Sequence, residues 1–118
     1  MQAHFGSYVR QRREQLLSED RSFSLRQVSA RVGIQPTYLS KIELGDLAPP
    51  SEKVIRKLAG ELGLHVDILL AMAGKVSKEL QEVIIKRPEL IGDLLREVKN
   101  SPDHAVLKIV REVRDGDW

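Results

Sequence analysis

The twenty residues from Leu25 to Leu44, LRQVSARVGIQPTYLSKIEL, restrict what this chain can fold into more than any other stretch. Two short helical patterns meet there across Gly33, with only three residues to make the turn. Helices joined so tightly must cross at close range. The first then needs a small residue at the crossing, and the turn needs a residue free to adopt positive φ. Ser29 and Gly33 stand at those two places, and Val28, Val32, Ile34, Leu39 and Ile42 form an inward-facing set. Ser24, with Gln27 three residues on, is a capping-box arrangement that opens the first helix. Pro36 opens the second, where its missing N–H costs no hydrogen bond, and Gly45 stops it.

A pair set in this way is a helix-turn-helix, and the rest of the chain is helical around it. Apolar residues recur at helical spacing nearly throughout, with no convincing period-two run, so the fold class is all-α. Phe5, Val9 and Leu16 outline a first amphipathic helix, with Tyr8 beside the stripe and Arg13 where an apolar residue is expected. Ser18 to Phe23 reads as a polar connection. After the central pair, Asp46 to Pro50 is a turn, and Ser51 caps a fourth helix carrying Val54, Ile55, Leu58, Ala59 and Leu62. Gly63 closes that helix, and a fifth spans about Val66 to Ala73 before Gly74. Residues 1–74 therefore read as a five-helix domain and 75–118 as a helical C-terminal extension. The extension divides into Val76 to Arg87, Pro88 to Lys99 and Pro102 to Val113, with Ser101-Pro102-Asp103 read as a cap, an N1 proline and a first-turn acid.

Composition narrows the chemistry. At 118 residues the length suits one domain rather than a large multidomain enzyme. There is no cysteine for a disulfide, a thiolate zinc site or a thiol nucleophile, and His4, His65 and His104 are too scattered to chelate a metal. No cofactor is expected, and no enzyme: nucleophile elbow, glycine-rich phosphate loop and paired acids are all missing. No apolar run approaches a membrane span and Met1 to Phe5 has no secretory pattern, so the expected location is the cytoplasm. The net charge is only +2, but it is unevenly placed. Residues 1–41 hold seven bases (Arg10, Arg12, Arg13, Arg21, Arg26, Arg31, Lys41) against three acids, whereas residues 75–118 hold nine of each sign. Attraction to a polyanion belongs to the first third.

The segment PTYLSKIELG closely resembles the recognition helix and glycine stop of the Xre-type helix-turn-helix regulators, the family of phage Cro and repressor proteins, and the resemblance extends over about residues 5–74. It implies a repressor-like domain that binds operator DNA as a two-fold homodimer, with the helix at about 36–44 in the major groove. With Leu39 and Ile42 turned inward, Thr37, Lys41 and Leu44 share the opposite face at i, i+4, i+7. Lys41 suits guanine O6 and N7, Thr37 a hydrogen bond or a thymine methyl, and Gln35 a phosphate or adenine. Pro36 belongs to the same helix start, and Arg26 and Gln27 lie in the first turn of the preceding helix, where exposed N–H groups favour phosphate. Tyr38 is a candidate phosphate contact or a packing residue.

Arg13 and Glu43 each interrupt an apolar stripe, and burying either alone would cost several kcal/mol. The resemblance pairs such residues, tying the first helix to the end of the third. Two departures from the family stand out. Leu25 occupies a position where a DNA-contacting glutamine is common, and the loop Gly45 to Pro50 has an acid and no base. Leu44 and Leu47 can instead form an apolar patch for a protein partner. In the tail, Val106, Ile109, Val110 and Val113 form a stripe that needs cover, from the domain itself or from a second copy. The expected function is a sequence-specific transcriptional regulator. The alternatives are the antitoxin of a toxin-antitoxin pair, with the C-terminal helices holding the partner protein, and an interaction module that keeps the fold without operator binding.

Overall fold

A computed structural model describes residues 2–118, with side chains from His4 onward. All regular elements among the described residues are helical, and the chain divides into two compact units, residues 1–77 and 78–118.

The first unit contains α1 (Gln2–Leu17), α2 (Leu25–Val32), α3 (Pro36–Leu44), α4 (Glu52–Leu62) and α5 (Val66–Met72). Each helix contributes the apolar stripe that its sequence carries. Phe5 and Val9 of α1, Val28 and Val32 of α2, Leu39 and Ile42 of α3, Ile55, Leu58 and Leu62 of α4, and Leu69 and Leu70 of α5 form one buried cluster. Fully burying a side chain of this kind stabilises the fold by roughly 1.5–3 kcal/mol before conformational entropy is counted. α1 lies against α3, while α2 packs on both α3 and α4. Ser24 Oγ accepts the Gln27 N–H at 3.2 Å and Ser51 Oγ accepts that of Val54 at 3.4 Å, so both serines cap their helices.

The turn between α2 and α3 works as its sequence requires. Gly33 has φ of 85°, a left-handed conformation that a Cβ disfavours, and its N–H and that of Ile34 both reach back to the Ser29 carbonyl, at 2.9 and 3.0 Å. Ser29 is fully buried at the crossing, and its hydroxyl donates to the Arg26 carbonyl at 3.0 Å. Among the described residues no buried side-chain nitrogen or oxygen lacks a hydrogen-bond partner.

The stretch expected to be an irregular polar connection contains a single 3-10 turn, Arg21–Phe23. Asp20 caps it by accepting the Ser22 N–H at 2.9 Å, and hydrogen bonds from Ser22 hold the Asp20 carboxyl below the usual carboxylate range. Arg31 of α2 stacks 5.3 Å above the Phe23 ring while pairing with Glu61 of α4 at 2.7 Å. The turn is thus tied to two helices.

The second unit comprises α6 (Lys78–Lys86), α7 (Pro88–Lys99) and α8 (Asp103–Asp115), of which α6 and α7 pack together. None of these helices has a buried residue; Ile85, Leu90, Leu95 and Val113 are all exposed. α6 begins at Lys78, after the expected Val76. Ser101 does not cap α8: its hydroxyl donates to the Glu97 carbonyl at 2.7 Å, satisfying one of the open carbonyls at the end of α7. Pro102 accordingly takes the N-cap place, outside the first helical turn.

Gly6 has a role that its neighbours in sequence do not suggest. A Cβ there would stand 2.7 Å from the Glu43 carbonyl oxygen and closer still to that of Ile42, so α1 and α3 approach backbone to backbone. Gly60 on α4 has open space around it. Gly6→Ala should therefore force α1 from α3 and lower the urea midpoint sharply, whereas Gly60→Ala should raise stability by about 0.5–1 kcal/mol. Denaturant unfolding followed by circular dichroism compares the two directly.

Candidate nucleic-acid interface

α3 presents two unlike faces. Leu39 and Ile42 are fully buried and Glu43 is 5% exposed, while Thr37, Lys41 and Leu44 point to solvent. Gln35 is the N-cap of α3, yet its side chain makes no capping hydrogen bond, so the exposed amide is available to another molecule. Pro36 is half-buried, and Tyr38, also half-buried, packs against the core cluster. In the first turn of α2, Arg26 and Gln27 are both exposed. The Gln27 N–H is taken by Ser24, which leaves the N–H groups of Leu25 and Arg26 as the open donors at that helix end. At the start of α3 the open donors are those of Thr37 and Tyr38, because Pro36 has none and Leu39 donates to the Gln35 carbonyl at 3.1 Å.

The seven bases of the first third are not equivalent. Arg10 pairs with Glu14 at 2.9 Å, and Arg12 donates to the Leu62 carbonyl and to Gln15. Arg13 is committed to Glu43 and Arg31 to Glu61. Arg21, Arg26 and Lys41 remain, each exposed and without an acidic partner among the described residues. Arg26 and Lys41 lie on the two helices of the motif. Arg21 lies on the 3-10 turn directly before α2; the sequence counts it among the bases of the first third but, in a stretch read as a polar connection, gives it no helix face.

Arg13 and Glu43 meet in the interior, 6% and 5% exposed. Arg13 donates from Nε to Glu43 Oε2 at 2.7 Å and from Nη2 to Oε1 at 2.9 Å, a two-point grip, and from Nη1 to the Phe23 carbonyl at 3.3 Å. The hydrogen bonds that Glu43 accepts from Arg13 raise the Arg13 pKa above its ordinary value against the opposing effect of burial. One side chain of α1 thereby positions the last turn of α3 and the turn that leads into α2. No group of His, Asp and Glu among the described residues could hold a metal ion, and no helix is long and apolar enough to cross a membrane.

Removing one partner of this pair strands the other charge in a nearly buried site. Glu43→Ala should cost about 3–5 kcal/mol of stability. The double change Arg13→Met with Glu43→Leu should cost much less than the two single changes added together, because no charge is left unpaired. Urea unfolding of the single and double variants measures the difference.

Comparison with known proteins agrees with this geometry. The helix-turn-helix family profile matches residues 9–69, more than half of the chain, and spans α2, α3 and the helices that hold them. No curated protein and no solved structure matches. The chain belongs to the helix-turn-helix family of Xre-like, Cro/C1-type DNA-binding regulators.

Proposed function

We propose that this protein is a sequence-specific DNA-binding transcriptional regulator that acts in the cytoplasm as a homodimer, with α3 laid in the major groove. The observation that carries the reading is the division of α3 into a face locked in the core and a face, Thr37, Lys41 and Leu44, open to solvent. Lys41 donates to guanine O6 and N7, and Thr37 and Gln35 meet neighbouring base edges or phosphate. Arg26 and Gln27, with the open N–H groups at the start of α2, hold a backbone phosphate, and Arg21 adds charge beside them. Pro36 and Tyr38 set the entry and tilt of α3. Two such helices about 34 Å apart on a dimer double the readout of a short half-site.

A second reading draws on the second unit. Its exposed apolar side chains suit the capture of a protein partner, as in an antitoxin that both binds DNA and holds its toxin. An interaction module without operator binding is the third arrangement, and it predicts no preferred duplex.

Selection from random duplexes, followed by titration over a range of salt concentrations, separates these readings. A regulator that neutralises phosphates loses affinity steeply, with log K falling by about 0.9 per contact for each unit of log salt. Arg26→Ala should weaken binding equally on all sequences and reduce that slope by about 1. Lys41→Ala should relax preference at one base pair and cost about 1–3 kcal/mol there. A flat salt response with no enriched duplex would refute operator binding.

A further inference from the structure

α8 carries two apolar faces. Ala105, Val106 and Ile109 are half-buried, whereas Leu107 and Val110 remain 46% and 49% exposed. Asp103, Leu107, Val110 and Arg114 stand at i, i+4, i+7 and i+11, so the open face is one stripe with an acid at one end and a base at the other. Asp103 makes no ion pair among the described residues. Arg114 pairs with its neighbour Asp115 at 3.2 Å, both side chains largely exposed, and a pair so exposed is worth little and exchanges readily. We infer that this stripe is the self-association surface of the chain: α8 packs antiparallel on α8 of a second copy, about a two-fold axis that passes between Lys108 and Ile109. The inference rests on the homodimer proposed above and names the surface that forms it.

Symmetry sets the register. Across a two-fold axis, a residue i that meets j is matched by j meeting i. With the axis at that place, Leu107 meets Val110 of the second copy, and Asp103 meets Arg114 of the second copy at both ends of the stripe. Each charge on the stripe faces its opposite. Parallel pairing would set Asp103 on Asp103 and Arg114 on Arg114 and would align the two helix dipoles, so it is disfavoured. The second unit also gives a reason for a partner at all. With about forty residues and no fully buried side chain on its helices, it has the size at which a fold needs a disulfide, a metal or another chain to hold it. The chain has no cysteine, and no group among the described residues could hold a metal ion, which leaves another chain. Nine charges of each sign in residues 75–118 let two copies meet without net repulsion.

Asp103 and Arg114 also suit the ends of their own helix, acid near the N-terminus and base near the C-terminus. Exchanging the charges separates the two roles. Sedimentation of the full-length protein without DNA, over a range of concentrations, measures the dimer. Val110→Glu sets two carboxylates in the apolar centre and should raise the dissociation constant about 100-fold. Arg114→Asp sets acid against acid at both ends and should raise it about tenfold. The exchange of Asp103→Arg with Arg114→Asp should restore the dimer, although circular dichroism should show a weaker helix because both charges then oppose the dipole. If the two residues serve only their own helix, Arg114→Asp leaves the dimer intact and the exchange restores nothing. That result, a dimer that survives Val110→Glu, or a chain that stays monomeric at every concentration overturns the inference. Duplex selection tests the proposed function separately: an enriched operator bound by a dimer that survives Val110→Glu leaves that function standing, and a dimer that Val110→Glu breaks, with no duplex enriched, leaves this surface standing.

Discussion

The first unit depends on how α1 is held against the last turn of α3. Two residues of α1 do this from the same face, seven apart: Gly6 lets the backbones touch at Ile42 and Glu43, and Arg13 grips the Glu43 carboxylate at two points. The closeness and the grip need each other. A side chain at position 6 would push against the Glu43 backbone and shift its carboxylate relative to Arg13, and an unpaired Glu43 is costly where it is 5% exposed. Buried ion pairs add little net stability compared with apolar residues of the same shape, so this pair is better understood as a device for orientation. It fixes the rotation of α3 about its own axis, and with it which residues of α3 face outward.

That rotation gives the unpaired charges their meaning. A net charge of +2 would exert almost no pull at a distance, and most arginines of the first third are bound within the fold. What is left is local: Arg26 and Lys41 on the two motif helices, and Arg21 on the turn that precedes them. With a Debye length near 10 Å at moderate salt, charges act on a polyanion where they stand, and the sum over the chain matters little. A count of bases along the sequence therefore finds the right third of the chain but mixes the residues that brace the fold with those free to meet a ligand.

The sequence makes some features plain for physical reasons and hides others. Capping at Ser24 and Ser51, the glycine at position 33 and the alternation of buried and exposed residues on α3 are local effects, governed by residues within one turn of each other. Arg13 and Glu43 betray themselves as charges on apolar stripes, though only the family resemblance pairs them in advance. Gly6 gives one faint signal, a residue of poor helix propensity inside a helix, and nothing local says which backbone it meets. The 3-10 turn at Arg21–Phe23 is held by Arg31 and its partner on α4, contacts that no short window contains. At Ser101 two local demands compete, since the hydroxyl can cap the next helix or close the previous one, and the open carbonyl of Glu97 prevails.

The two departures from the family pattern have a common physical consequence. A loop after α3 without a base, and Leu25 in place of a polar contact, leave few groups to neutralise phosphates, so a single domain gains little of the sequence-independent attraction that dominates most DNA affinity. Under the proposed function, that shortfall is offset by joining two domains, which makes the second half-site an intramolecular encounter at high effective concentration and multiplies weak affinities without a new contact. The helices of the second unit, about forty residues long, have no fully buried residue and leave apolar side chains exposed, and under the proposed function a surface of that kind suits the joining.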